Sequence, residues 1–262
     1  MKKRFENDLR TSAERILDIL EFIVSKDNSE TNINEIANVF NLSRSSSYRM
    51  LKYLYQRSYL DHNNKSSVYS LGFKLIEIGW MAITKQPLTK IASPYVEKLT
   101  QITGESSILS ILKDNEVFYL IKFGGKGILK IDVEVETHAP IHCTAQGKVL
   151  LAWLPKEEIF KIIDGLKFEK NTIKTITNKD SFITELEVTK KRGYAISEEE
   201  YVLGTCAIAV HIKNKKNEII ASLASVVPKA RFTENRIIEI KNVLFMIKEE
   251  IENKLGNFIN YY

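Results

Sequence analysis

The chain has 262 residues, 44% hydrophobic and 27% charged, with 38 Lys and Arg against 33 Asp and Glu for a formal net charge of +5. That length suits two domains, and the composition excludes a disordered or collagen-like chain. Cys143 and Cys206 are too few for a disulfide framework, no apolar run approaches the roughly 20 residues that span a bilayer, and Met1-Lys2-Lys3-Arg4-Phe5-Glu6 has no apolar signal region; a cytoplasmic protein without a membrane partner is expected.

Residues 12–25 place Ala13, Ile16, Leu17, Leu20, Ile23 and Val24 on one stripe after the possible caps Thr11 and Ser12, which predicts an amphipathic helix. A short helix with Ile33, Ile36, Ala37 and Phe40 follows, then the turn Asn41-Leu42 and a longer helix from the cap Ser43 to about Ser58. In that helix Ser47, Met50, Leu51 and Leu54 share one face, while Arg44, Ser45, Tyr48, Arg49 and Lys52 share the other. Residues 5–43 carry three bases to eight acids, whereas residues 44–74 carry six bases and Asp61 alone, so the positive charge starts at this helix. Short helix, turn and basic helix form a helix-turn-helix, whose second helix enters the major groove of double-stranded DNA. Tyr59 to Asp61 and Val68 to Leu71 flank the polar segment His62 to Ser67 as a β-hairpin, with Lys65 at its tip beside the phosphates. The candidate DNA-contacting residues are Arg44, Ser45, Ser46, Tyr48, Arg49, Lys52 and Lys65.

These segments resemble the IclR family of transcriptional regulators. Ser12-Ala13-Glu14-Arg15-Ile16-Leu17 is similar to the start of that family's first helix, Ser45 to Leu51 to its reading helix, and Tyr69-Ser70-Leu71-Gly72 to its wing exit. Ser58 stands where a Gly usually precedes the wing, which implies a less tight turn here.

Residues 73–84 (Phe73, Leu75, Ile76, Ile78, Gly79, Trp80, Ile83) read as a helix apolar on more than one side, expected to be buried against a second subunit. From Pro87 a helix with Ile91, Tyr95, Val96 and Leu99 ends near Thr103-Gly104; strands over 107–112 and 116–123 follow, then a flexible turn at Gly124 to Gly127 and a strand over 128–133. Thr144 can cap a helix running to Leu154, whose first-turn N–H groups near Ala145 and Gly147 suit a carboxylate. Helices near 156–165 and 180–192, strands over 205–212 and 219–226, and a helix from Glu234 to about Lys254 complete the chain. Ala207, Ala209, Ser222 and Ala224 are small for neighbouring strand positions, leaving room for a ligand or for a closely packed helix.

The stretches Thr137 to Ala152 and Arg192 to Tyr201 again resemble IclR-family segments, and the likeness covers about residues 9–255. It implies an α+β protein: a winged helix-turn-helix over 1–72, a linker and dimerisation helix over 73–86, and a GAF-like effector-binding domain over 87–262, with a curved antiparallel sheet and flanking helices. The effector positions it implies are Ile128, Ile131, Ala145, Gln146, Ser197, Ala207, Ala224 and Val226. Ser197 replaces a frequent Asp and Val226 a hydroxyl residue, which favours a carboxylic acid larger or less polar than a two-carbon one.

The expected function is a sequence-specific, cytoplasmic DNA-binding regulator, read as a repressor. It would be a homodimer and further a dimer of dimers on a near-palindromic operator, switched by the acid through helix 73–84. A DNA binder without a ligand switch is the alternative. A metal or thiol enzyme built on His138, His142, His211, Cys143 and Cys206 is disfavoured, because no metal-ligand spacing occurs and His142 and Cys143 in one strand would face opposite ways. No cofactor, bound metal or catalytic residue is expected.

Overall fold

A computed structural model describes residues 11–126 and 138–255, so the strand expected over 128–133 lies outside the described residues. The chain divides into two compact units, Met1–Ile83 and Thr84–Tyr262. The first contains α1 (Ser12–Val24), β1 (Glu30–Thr31), α2 (Ile33–Val39), α3 (Arg44–Gln56), β2 (Leu60–Asn63), β3 (Val68–Leu71) and most of α4 (Phe73–Lys85). Its strands pair antiparallel in the order β1-β3-β2.

Caps fix the helix starts. Thr11 and Glu14 form a reciprocal capping box on α1, and Asn32 and Ser43 accept from the N–H groups of Glu35 and Ser46 on α2 and α3. The core gathers Ile19, Ile23, Ile36, Leu51, Leu54, Leu60 and Tyr69. The expected stripe on α1 is shifted. Ile16, Ile19, Leu20 and Ile23 turn inward, while Leu17 and Val24 are exposed, because adjacent apolar residues at 16, 17, 19 and 20 allow two helical faces and only the partners choose between them. The first wing strand runs to Asn63, beyond the expected Asp61, since His62 pairs with Tyr69 across the hairpin and stacks on its ring at 4.3 Å. Ser58 has φ +60°, so the turn into the wing keeps the left-handed geometry a Gly would adopt and is no looser for lacking one.

The second unit contains α5 (Pro87–Thr103), β4 (Ser106–Lys113), β5 (Glu116–Phe123), β6 (His138–Ala139), α6 (Ala145–Leu151), α7 (Lys156–Gly165), α8 (Lys179–Arg192), β7 (Ala195–Glu198), β8 (Thr205–Lys213), β9 (Ile219–Pro228) and α9 (Glu234–Leu255). Its curved sheet has the order β6-β5-β4-β9-β8-β7, with every recorded pair antiparallel. Alternation along β8 divides two cores. Cys206, Ile208, Val210 and Ile212 join the cluster under α5 and α9, whereas Ala207 and Ala209 face the cluster holding Ala145 and Val149 of α6. Phe182, Leu151 and Ile163 belong to a third cluster, among α6, α7 and α8. Gly125 is packed rather than loose, since a Cβ there would lie 2.8 Å from the Gly104 carbonyl oxygen.

Candidate nucleic-acid interface and effector pocket

On α3, Ser47, Leu51 and Leu54 are buried, and Arg44, Ser45, Tyr48, Arg49 and Lys52 are exposed with Ser46 half-buried. The Lys52 ammonium lies 5.5 Å from the Tyr48 ring centroid, a cation on an aromatic face that keeps both side chains on the outer surface. Ser46 takes part in capping, with its N–H donating to Ser43 Oγ at 3.1 Å. Lys65 is exposed in the four-residue turn between β2 and β3, where its N–H donates to Asn63 Oδ1 at 3.0 Å. The exposed face carries cations, hydroxyls and aromatics without an acid.

In the second unit a pocket of about 40 Å3 is lined by Ala145, Gln146, Ser197, Ala207 and Val226, with Ile108, Tyr119, Cys143, Thr144, Tyr201, Val202, Thr205 and Cys206. Ala224 is not in the lining: fully buried, it packs with Ala145, Val149, Ala195 and Ala209, where small side chains let α6 approach the sheet. The small strand residues therefore serve both uses, helix packing at Ala209 and Ala224 and the pocket wall at Ala207. Ile128 and Ile131 lie outside the described residues.

Thr144 caps α6, accepting from Gly147 N–H at 3.2 Å and donating to the Pro140 carbonyl at 2.7 Å. The helix ends at Leu151 rather than at the expected Leu154; the Leu154 N–H donates instead to the Leu151 carbonyl, three residues back, in the turn before Pro155. The N–H groups of Ala145 and Gln146 find no acceptor among the described residues, as the opening turn of a helix requires. Ser197 Oγ donates to the Cys143 carbonyl at 2.8 Å, tying β7 to the turn before α6.

Behind this wall Lys148 is 1% exposed, its ammonium donating to Glu200 Oε1 at 2.6 Å and to the Ile196 carbonyl at 2.9 Å. Burial raises the Glu200 pKa against the lowering effect of Lys148. Burial also pushes the Cys143 thiol up to about 12 and Cys206 up to about 11, the opposite of what a nucleophile needs. His142 and Cys143 sit in a turn before α6, with His142 Nε2 3.0 Å from the Glu169 carbonyl. His138 Nδ1 lies 3.0 Å from Glu116, and His211 Nε2 accepts from Lys248 at 2.7 Å with its pKa lowered to about 3, first by burial. Among the described residues no three His, Cys, Asp or Glu side chains gather to hold a metal, and no helix is long and apolar enough to cross a membrane.

Sequence reasoning missed the lining contributions of Tyr119 on β5 and of Tyr201 and Thr205 in the connection from β7 into β8. Lys148 left a signal: a cation directly before the apolar run Val149-Leu150-Leu151 requires a buried partner.

The profile described as bacterial transcriptional regulator IclR C-terminal matches residues 80–252, and that of the IclR helix-turn-helix domain matches residues 12–64. The HTH-type transcriptional regulator XynR of Escherichia coli (strain K12) is 29% identical over 245 residues, 94% of this chain and 97% of its own. Among solved structures, the Thermotoga maritima IclR is similar with a TM-score of 0.75 at 29% identity, covering 94% of this chain and 98% of the other. An IclR homolog complexed with 4-hydroxybenzoate from Microbacterium hydrocarbonoxydans has the same fold, with a TM-score of 0.76 at 22% identity over 94% and 99%.

Proposed function

This chain belongs to the IclR family of bacterial transcriptional regulators, and on that premise we propose that it binds a near-palindromic operator in double-stranded DNA and is switched by a small organic acid. The observation that carries the reading is the exposed, acid-free face of α3, with Arg44, Arg49 and Lys52 beside the hydroxyls of Ser45 and Tyr48. Arg49 reads a base edge, and Lys65 on the wing meets the phosphate backbone.

The acid sits with its carboxylate at the free N–H groups of Ala145 and Gln146 and its apolar part against Ala207 and Val226. Its release of the operator makes the protein a repressor in the acid's absence, acting in the cytoplasm as a regulator and not an enzyme. A homodimer supplies the two reading helices that a palindrome requires, and dimers pair further into tetramers. The exposed Phe73, Ile76 and Trp80 on one side of α4, with Ile78 on another, support a subunit contact there, since so many large apolar side chains on one helix are unfavourable in water.

The test is a gel-shift series on the operator at fixed salt. Arg49→Ala is expected to cost about 1–3 kcal/mol on the operator and to relax the preference at one base pair, while Lys65→Ala weakens all sequences alike. Unchanged binding by both variants refutes the interface. A monomer by light scattering at micromolar concentration refutes the assembly.

A further inference from the structure

Beside the pocket lies a buried ion pair whose members line none of it. The Lys148 ammonium contacts the Ile196 carbonyl, Glu200 Oε1 and, at 3.5 Å, Glu185 Oε1. The contacts at Ile196 and Glu200 lie next to a pocket wall. Ser197 follows Ile196 and Tyr201 follows Glu200, while Ala145 and Gln146 lie within one turn of Lys148 on its own helix. Glu185 is held in turn by Arg192 at 3.0 Å, which extends the arrangement into α8. The second Glu200 oxygen, Oε2, is buried without a hydrogen-bond partner among the described residues. Apolar side chains of similar volume often stabilise a core as well as a buried ion pair does. A pair that ties α6 to the segment carrying the opposite pocket wall has a geometric use instead.

We propose that Lys148 is a positioning residue of the effector site: it holds the segment 196–202 at a set spacing from the start of α6, and that spacing decides whether an acid is accepted. The proposal rests on the reading of this pocket as the effector site. A void of about 40 Å3 holds only a few waters, so a small displacement of either wall changes what fits. Ser197 Oγ on the Cys143 carbonyl joins the same two segments, and the Lys148 contacts fix them at two further points.

Lys148→Met alone leaves the Glu200 carboxylate buried without its counter-ion and can unfold the domain. The informative protein is therefore the full-length double variant Lys148→Met/Glu200→Leu, in which both charges give way to apolar side chains. Melting, amide hydrogen exchange without ligand, and calorimetric binding of 4-hydroxybenzoate are compared with the unaltered chain. The variant is expected to melt within a few degrees of the original, yet to exchange about tenfold faster at the hydrogen-bonded amides of Gly147 and residues 197–199, with α5 and α9 unchanged. Its affinity for 4-hydroxybenzoate falls about tenfold.

A folded double variant with original exchange rates at those amides overturns the proposal, whichever acid is used. A double variant that melts far lower also overturns it, because the pair then serves stability rather than spacing. If exchange changes as expected while 4-hydroxybenzoate binds neither protein, the positioning role stands and the reading of the pocket as a site for such acids is the one that fails.

Discussion

Adding one methyl group at Gly147 tests both the packing of α6 and the pocket it starts. A Cβ there would lie 2.3 Å from the Ile141 carbonyl oxygen, 2.5 Å from its Cα and 2.7 Å from its carbonyl carbon. Contacts under 3.0 Å are essentially never kept by real Cβ atoms, and all three atoms are backbone, so helix or turn must move by at least 0.7 Å along the closest approach. Overpacking of this kind costs about 1–3 kcal/mol. Drawing Gly147 N–H away from Thr144 Oγ1 forfeits part of a cap worth about 1 kcal/mol. The helix preference of Ala over Gly returns up to about 1 kcal/mol. Gly147→Ala is therefore expected to destabilise the protein by about 1–3 kcal/mol and to weaken acid binding, since Ala145 and Gln146 move with the helix. Gly165→Ala, at the end of α7 with nothing within 4 Å of the added Cβ, is the matched control and is expected to be neutral or slightly stabilising. Urea and thermal melting of the full chain by circular dichroism reads both. Equal midpoints for the two variants, or a Gly147→Ala midpoint at or above the original, refutes the close approach.

Ser58→Gly removes a left-handed conformation that costs an L-residue about 1–2 kcal/mol, less up to about 1 kcal/mol of extra unfolded-chain freedom, so a net gain of several tenths is expected. Slower amide exchange across β2 and β3 checks it, and faster exchange there sinks it. His211, neutral in the fold with its pKa lowered to about 3, is protonated in the unfolded chain below about pH 6.5. Its contribution is thus present above pH 6.5 and is lost as pH falls toward 3, at up to about 1.4 kcal/mol per pH unit. His211→Gln should flatten the pH dependence of the urea midpoint between about pH 6 and 5 by close to one proton, and an unchanged slope refutes this. The raised pKa values of Cys143 and Cys206 predict that iodoacetamide at pH 8 leaves both thiols unmodified in the native protein and reacts with both in urea, as mass spectrometry would show.

The architecture was legible where period and punctuation agree. Ser43 followed by a stripe at 47, 50, 51 and 54 admits one helix face, and Gly104 ends α5 in a left-handed cap with φ +70°. On α1 the pattern was too apolar to choose a face, and only contact with Ile36 and Leu51 decides it. Ala145 was legible from the capped helix start and Ala207 from its small size, but Gln146, Ser197 and Val226 came through family resemblance, and spacing alone would not have joined them, because β7, β8 and β9 meet only through their pairing. Ala224 shows the limit: a small inward residue reads the same whether a ligand or a helix lies over it. The Lys148–Glu200 pair spans roughly 50 positions of sequence, and nothing local announces which acid answers that lysine.

The strand order has a consequence for the chain during its synthesis. In the first unit the ladder joining Glu30 to Ser70 closes a loop of roughly 40 residues. In the second, the central pair β4 and β9 brings Ser106 against Val226, roughly 120 residues apart, and α9 still follows. A ribosome therefore releases a DNA-reading unit able to fold while the sheet of the other unit still lacks a central strand. We expect refolding from urea to restore protection in α2 and α3 before β4 and β9, a sequence that pulsed hydrogen exchange resolves and that simultaneous protection would contradict. A nascent or prematurely ended chain would then hold its reading head before its sensor, occupying sites on DNA with no means of being told to leave.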